Sequence, residues 1–188
     1  MTLLTHIEKH LGNIDKGWKL PDSSLSIQIV RFKNQPVEGA TTYMTLGLSD
    51  YTLNLNEDKH IHQELIFSAY STYPSEHIAS FMATFAEYLI SNKKGLLRGD
   101  VIGPSTSLIP NVPVNSIYAS IPIYFNDDFY VYKEHEFPTI LVWLVPLLED
   151  ECKFTNQQGW SEFEDILELT NPDLLNLNRP SIFSKNNR

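Results

Sequence analysis

The chain has 188 residues, 42% of them hydrophobic, and a formal net charge of −9 from 14 basic and 23 acidic side chains. This length and apolar content predict one soluble globular domain with a sizeable core. The negative charge argues against direct nucleic-acid binding, which requires basic groups that displace phosphate counterions. It permits a cationic protein partner, because acidic surfaces attract basic proteins, although negative charge also serves solubility alone.

The terminal and apolar segments predict a cytoplasmic protein. The first residues, Met1–His6, lack the basic and apolar regions of a signal peptide. The longest apolar run, residues 137–148, is interrupted by Pro138 and Pro146 and is too short to span a membrane. Cys152 is the only cysteine, so no internal disulfide can form, which fits a reducing compartment.

The first third of the chain shows one helix pattern and three strand patterns. Apolar residues recur at helical spacing over residues 3–11, and Gly12 ends this predicted helix. Alternation predicts a strand at residues 25–29. Two further strands are predicted, at residues 42–48, followed by a Ser-Asp turn, and at about residues 62–70.

The clearest helix begins at Pro74, and we expect Gly95 to cap its end. Its apolar residues form one continuous stripe at helical spacing: Ile78, Phe81, Met82, Phe85 and Leu89. A stripe of Met and aromatic residues could line a cofactor pocket, but this spacing is far more typical of core packing. We therefore predict that the stripe is core and that the chain binds no cofactor.

The remaining elements are three strands and a helix. Residues 100–102 predict a short strand, and residues 117–125 predict an edge or bulged strand because Pro122 cannot donate to a ladder. Residues 139–147 are apolar on both faces, as expected of a central strand. A last helix has an apolar inner face made by Trp160, Phe163 and Leu167. Helices and strands mix without strict alternation, which predicts an α+β single domain over residues 1–183, with a mixed sheet and packed flanking helices, and a frayed tail at residues 184–188.

No strong catalytic pattern occurs: nucleotide-binding glycine motifs and a nucleophile elbow are absent. Cys152 lies among acidic side chains, which is an unfavourable setting for a nucleophilic thiolate. His60, His62 and Glu64 are a weak metal candidate, because in an extended segment all three point to one face and could bind zinc. A polar strand edge explains them equally well, so we predict no metal site and no catalytic residues.

Two acidic clusters are candidates for partner binding. Residues 149–168 contain seven acids and one base, a net of −6. The second cluster mixes acidic and aromatic side chains, and we predict that it contacts the partner: Asp127, Asp128, Tyr130, Tyr132, Glu134 and Glu136. Carboxylates pair with basic side chains, and tyrosines supply rigid contact area. A solvated surface without function is the alternative.

A series of motifs, taken in order, resembles the suppressor of fused (SUFU) family over nearly the whole chain. The motifs are Pro36–Gly39, Thr42–Asp50, Gln63–Phe67, Leu97–Pro104, Trp143–Leu147 and Arg179–Ser181. The resemblance implies an α/β module that binds other polypeptides and is not an enzyme. The single-domain length favours the bacterial members of the family, which are inferred to be immunity proteins against toxins.

The resemblance and the charge together predict an immunity protein, or antitoxin, that masks a cationic toxin, with a nuclease among the candidates. An acidic inhibitor suits a nuclease because a phosphate-binding active site is basic. Two alternatives remain open from the sequence. One is a regulatory module that adds a peptide strand to the sheet edge near Pro122. The other is a metal-dependent hydrolase that uses His60, His62 and Glu64.

Overall fold

The computed structural model of the chain describes residues 2–19, 25–133 and 137–184. In chain order the elements are α1 (Leu3–Leu11), β1 (Lys16–Lys19), β2 (Gln28–Lys33), β3 (Ala40–Leu46), a 3-10 turn (Leu48–Asp50), β4 (Leu53–Asn54), β5 (His60–Tyr70), α2 (Ser75–Ser91), β6 (Val101–Ile102), β7 (Ser116–Ser120), β8 (Val131–Tyr132), β9 (Thr139–Leu147), α3 (Glu149–Gln158) and α4 (Trp160–Thr170). The chain divides into two compact units. The first contains residues up to Leu96 with Ile121–Trp143, and the second contains Leu97–Ser120 with the chain from Leu144 onward.

The strands form a mixed sheet. In the first unit they lie in the order β1-β2-β3-β5-β9, with β4 paired to β5 and β8 paired to β9. These pairs are antiparallel except β5 with β9, which run parallel with His62 opposite Thr139. In the second unit β9 is followed by β7, which pairs antiparallel with β6. These nine strands and four helices confirm the predicted α+β class with a mixed sheet and packed helices.

Helix α2 is core, as its periodicity predicts. All five residues of its stripe are buried, and the helix packs on β2, β3 and β5. The ring of Phe81 lies 5.5 Å from that of Phe67 on β5. Gly95 does not cap the helix, because Lys93 takes the left-handed conformation there with φ +48°. Gly95 instead sits against β5, where a Cβ would lie 2.6 Å from the side chain of Ile61.

The strand predicted at residues 117–125 is shorter than its apolar pattern indicates. Strand β7 ends at Ser120, and Pro122 lies in a turn in which Phe125 N donates to Pro122 O at 3.1 Å. Proline ends the ladder here instead of forming a bulge in it. No strand is present at Pro122 itself, so the sheet edge nearest to it is the end of β7, and peptide addition there stays a prediction.

The acidic segment after β9 forms two helices where the sequence predicts only one. Helix α3 is mostly polar, so its periodicity is weak, but it follows directly on the buried strand and packs against β6 and β7. Gly159, with φ +98°, separates it from α4. Among the described residues, none of the helices is long and apolar enough to cross a membrane.

Candidate partner-binding surface

The longest family motif ends in a turn that surrounds one buried carboxylate. Glu64 on β5 has no exposed surface. It accepts hydrogen bonds from Thr45 Oγ1 at 2.6 Å, Gly47 N at 2.9 Å, Leu48 N at 3.3 Å, Ser49 N at 3.0 Å and Ser49 Oγ at 2.8 Å. Gly47 has φ +102°, and a Cβ there would lie 2.6 Å from a backbone oxygen. Glycine is therefore required at this position for the turn to close around Glu64.

This carboxylate has a structural role. Burial raises the pKa of Glu64, and hydrogen bonds from Thr45, Ser49 and Gly47 act in the opposite direction. The carboxylate in turn supplies acceptors for backbone N–H and hydroxyl groups that would otherwise lack hydrogen-bond partners. Glu64 thus fixes the turn that follows β3, and the side chain does not reach solvent.

The two histidines of the metal candidate have separate partners. Nδ1 of His60 donates to Oδ1 of Asn54 at 2.9 Å, and Nδ1 of His62 donates to the backbone oxygen of Ser49 at 2.7 Å. The ring of His62 also stacks on Phe137 at 5.5 Å. Within the parts of the chain that the structure describes, no group of three His, Cys, Asp or Glu side chains is arranged to hold a metal ion.

The closing motif in the second unit forms a buried ion pair. Arg179 donates to both oxygens of Glu151, at 2.5 and 2.7 Å, and also to the backbone oxygen of Pro146 at 3.2 Å. Glu151 also accepts from the backbone nitrogens of Leu148 and Ile182, each at 3.0 Å. Because both charges are buried and fully hydrogen-bonded, this motif ties the C-terminal segment to the start of α3.

The Leu97–Asp100 motif is a tight turn. Leu97 N donates to the Asp100 carboxylate at 2.8 Å, and Asp100 N donates to Leu97 O at 3.0 Å. Gly99 has φ +100°, and a Cβ there would lie 2.7 Å from the indole of Trp160 on α4. The three motifs that contain Glu64, Arg179 and Gly99 therefore have a structural role in the fold.

The predicted acidic-aromatic contact region lies in the first unit. Asp127 is exposed, and the side chain of Asp128 is 63% exposed. Asp128 lies 3.6 Å from Nζ of Lys9 and 3.8 Å from Nε2 of His10 on α1. A depression of about 280 Å³ is lined by both aspartates together with Tyr130 and other residues of the segment.

The aromatic residues of this segment differ in exposure. Tyr130 is half-buried, whereas Tyr132 is buried, so its ring is not part of the exposed surface. Phe129 is also buried; its ring lies 6.1 Å from that of His6, and its backbone oxygen lies 2.9 Å from His6 Nε2. These two aromatic side chains anchor the segment to the core. Glu134 and Glu136 lie outside the described residues.

An exposed apolar turn directly precedes the two aspartates, and the sequence does not single it out. Ile121, Ile123 and Tyr124 are large hydrophobic side chains at the surface. Ile121 and Ile123 alternate as they would in a strand with one buried face, so the sequence pattern does not show that they are exposed. The signal that could have revealed the turn is Pro122, which cannot donate to a sheet ladder.

The outer face of α4, in the second unit, is the other acidic surface. Glu162, Asp165 and Glu168 are exposed there. Glu164 is occupied within the fold: Arg98 binds it through two nitrogens, and Tyr118 donates its hydroxyl to it at 2.5 Å. This face therefore presents three acids to solvent, because Glu164 is bound within the fold.

The comparison with curated proteins identifies a bacterial relative. The chain is 23% identical over 171 residues to the immunity protein YqcF of Bacillus subtilis, and the alignment covers 90% of this chain and 88% of that protein. At this level of identity individual surface residues do not transfer, so the relative does not show which side chains bind a partner.

Comparisons with solved structures place the fold among SUFU proteins. A SUFU homologue from Neisseria gonorrhoeae matches with a TM-score of 0.77 at 16% identity, covering 97% of this chain and 96% of that one. The Sufu–Fu complex structure matches at 0.73 and 14% identity over 96% of this chain and 89% of that one. Drosophila Suppressor of Fused matches at 0.63 and 18% identity over 83% of this chain and 43% of that one. The family model for suppressor of fused protein (SUFU) matches residues 23–180, and the chain therefore belongs to the SUFU family.

Proposed function

We propose that this chain is an immunity protein that binds a protein toxin and neutralises it by masking it. The observation that carries the proposal is the similarity to the immunity protein YqcF, which extends over nine-tenths of this chain. Alignment over nearly the full length of both proteins favours a shared role more than a match to one segment would. The proposal places the protein in the cytoplasm, where its single cysteine would stay reduced.

The proposed mode of action is binding and not catalysis. The strongest chemical candidate in the sequence included Glu64, and that carboxylate is enclosed by five donors from the end of β3 and the turn that follows it. A buried carboxylate with all its acceptor positions occupied is poorly suited to contact a substrate. Membership of the SUFU family also supports a protein-binding role.

We propose that the toxin is cationic and that it contacts the segment containing Asp127, Asp128, Tyr130, Tyr132, Glu134 and Glu136. The net charge of −9 favours encounter with a basic protein. Asp127 is exposed and available to pair with basic side chains, whereas Asp128 already lies 3.6 Å from Lys9. A nuclease is one class of toxin with a basic surface, because its active site must hold phosphate groups. The buried Tyr132 would support this surface from below.

A growth assay tests the proposed function. Each gene that flanks the gene for this chain is expressed alone, and then together with it, from separate inducible promoters. We expect one neighbour to arrest growth and this chain to restore it. If no neighbour arrests growth, or if growth remains arrested when this chain is present, the immunity role is contradicted.

A second candidate function is a regulatory module that binds a peptide or protein other than a toxin. It is supported by the likeness to a chain of the Sufu–Fu complex, an assembly of two proteins. The same assay separates the two functions. A toxic neighbour that this chain neutralises supports immunity, whereas stable binding to a non-toxic neighbour supports the regulatory role.

A further inference from the structure

We propose that the turn Ile121–Asp128 is the centre of the toxin contact, with Ile123 and Tyr124 as apolar anchors and Asp127 on the rim. The partner that this surface fits is a basic protein surface with an apolar cleft. This inference rests on the proposed immunity function and names the residues by which it would act.

The turn exposes an unusual amount of apolar surface for its length. Within four residues, Ile121 is 36% exposed, Ile123 is 63% exposed and Tyr124 is 38% exposed. Single apolar residues at a surface are ordinary, but adjacent large ones mark an interaction site. Pro122, between them, is buried and fixes the backbone from which they project.

Two backbone hydrogen bonds and one aromatic contact hold the turn. Ile123 N donates to Ile121 O at 2.9 Å, and Phe125 N donates to Pro122 O at 3.1 Å. The ring of Tyr124 lies 5.0 Å from that of Trp143, whose side chain is buried on β9. Because the ring of Tyr124 already packs against the core, binding through it would lose less conformational entropy than binding through a free side chain.

A second anchor fixes the end of the turn that carries the acids. The ring of Phe125 lies 4.9 Å from that of Phe129, and Phe129 N donates to Asn126 O at 2.9 Å. Phe129 packs in turn against His6 and His10 of α1. Helix α1 therefore supports the turn from the side of the core.

Lys133 lines the same depression as Asp127 and Asp128, so the attraction for a basic partner comes from Asp127 and from the net charge of −9. Asp127 is exposed and makes no ion pair with any residue that the structure describes, while Asp128 is shared with Lys9 at 3.6 Å. An apolar centre with a charged rim is the usual anatomy of a protein interface. A second copy of this chain fits the turn poorly, because a two-fold contact would bring the aspartates of both copies together.

The test uses the purified chain and the toxin identified by the growth assay. We expect Ile123→Asp to weaken toxin binding by at least about 30-fold, as for other central interface anchors, and Tyr124→Ala to act in the same direction. Ile123→Asp should leave the thermal unfolding midpoint unchanged because the side chain is largely exposed. Calorimetric titration measures the binding.

Two matched controls keep the test specific. Val37→Asp changes an exposed apolar residue elsewhere in the first unit, and Leu169→Asp does so on α4 in the second unit. Both should bind the toxin as the wild type does. If Ile123→Asp binds the toxin with wild-type affinity, the inference is overturned while the immunity role stands. The inference is also overturned if the wild type is a dimer and Ile123→Asp makes it a monomer. Failure of the wild type to neutralise any neighbour would instead overturn the proposed function.

Discussion

At the scale of single residues, two of the motifs supply hydrogen-bond partners to a buried acidic side chain. Glu64 and Glu151 are both fully buried, and the chain satisfies them in different ways. Glu64 receives neutral donors from β3 and the turn after it, whereas Glu151 is paired with Arg179. The sequence shows these residues but not their roles, because Ser49 and Arg179 are distant in sequence from the acids they bind.

The first prediction concerns the pH dependence that Glu64 gives to stability. Burial raises the pKa of Glu64 above its ordinary value of 4.5, so the unfolded chain loses this proton at a lower pH than the folded chain. The contribution of Glu64 is therefore most favourable below about pH 4.5 and declines as pH rises through the folded-state pKa. Denaturant unfolding between about pH 4 and pH 7 should show the wild type losing stability relative to Glu64→Gln.

The opposite slope would contradict this assignment. If the wild type gains stability relative to Glu64→Gln as pH rises, the donors around Glu64 outweigh its burial, and the folded state holds the carboxylate as an anion. Because Gln does not titrate in this range, the difference between the two proteins isolates Glu64 from the other acids.

The second prediction concerns the buried pair of Glu151 and Arg179. Arg179→Met should lower the free energy of unfolding by about 3–5 kcal/mol, because it leaves a buried carboxylate without its cation. Arg98→Met is the matched control, since its pair with Glu164 is partly exposed, and it should cost at most about 1 kcal/mol. Similar losses in the two variants, measured by denaturant unfolding, would show that the buried pair is not a special determinant of stability.

At the scale of elements, what the sequence could predict depended on periodicity. Helices α1 and α2 and strand β9 were predicted because each carries a long apolar pattern that matches its burial. Helix α3 was missed because most of its residues are polar, and β4 was missed because a two-residue strand is defined by its partner. At Pro122 the apolar pattern predicts a strand, because a sequence pattern cannot show that the apolar residues of this turn are exposed.

The third prediction tests helix α2. Phe81→Ala should lower the free energy of unfolding by about 3–5 kcal/mol, because the ring is buried against Phe67 and Phe85. Tyr88→Ala, on the exposed side of the same helix, should have a much smaller effect. Equal denaturation midpoints for Phe81→Ala and the wild type would show that this face of α2 is not core.

At the scale of the whole molecule, the chain shares its fold with proteins whose sequences differ widely from its own. Solved SUFU structures match this chain at 14–18% identity with TM-scores of 0.63 to 0.77. In this chain the motifs described above stabilise turns and buried acidic side chains of that fold. Partner-binding residues lie on the surface, where no such requirement acts, so the family resemblance predicted the fold and could not predict the contact site.

The central claim is that the chain neutralises a toxin by binding it, and a titration tests this most directly. The activity of a fixed amount of the toxin is measured as the purified chain is added. Masking predicts that activity falls in proportion to the chain added and disappears when the two are at equal molar amounts, with intact toxin recovered after denaturation. Complete neutralisation by a small fraction of that amount, or recovery of a cleaved or modified toxin, would show that the chain is an enzyme and contradict the account.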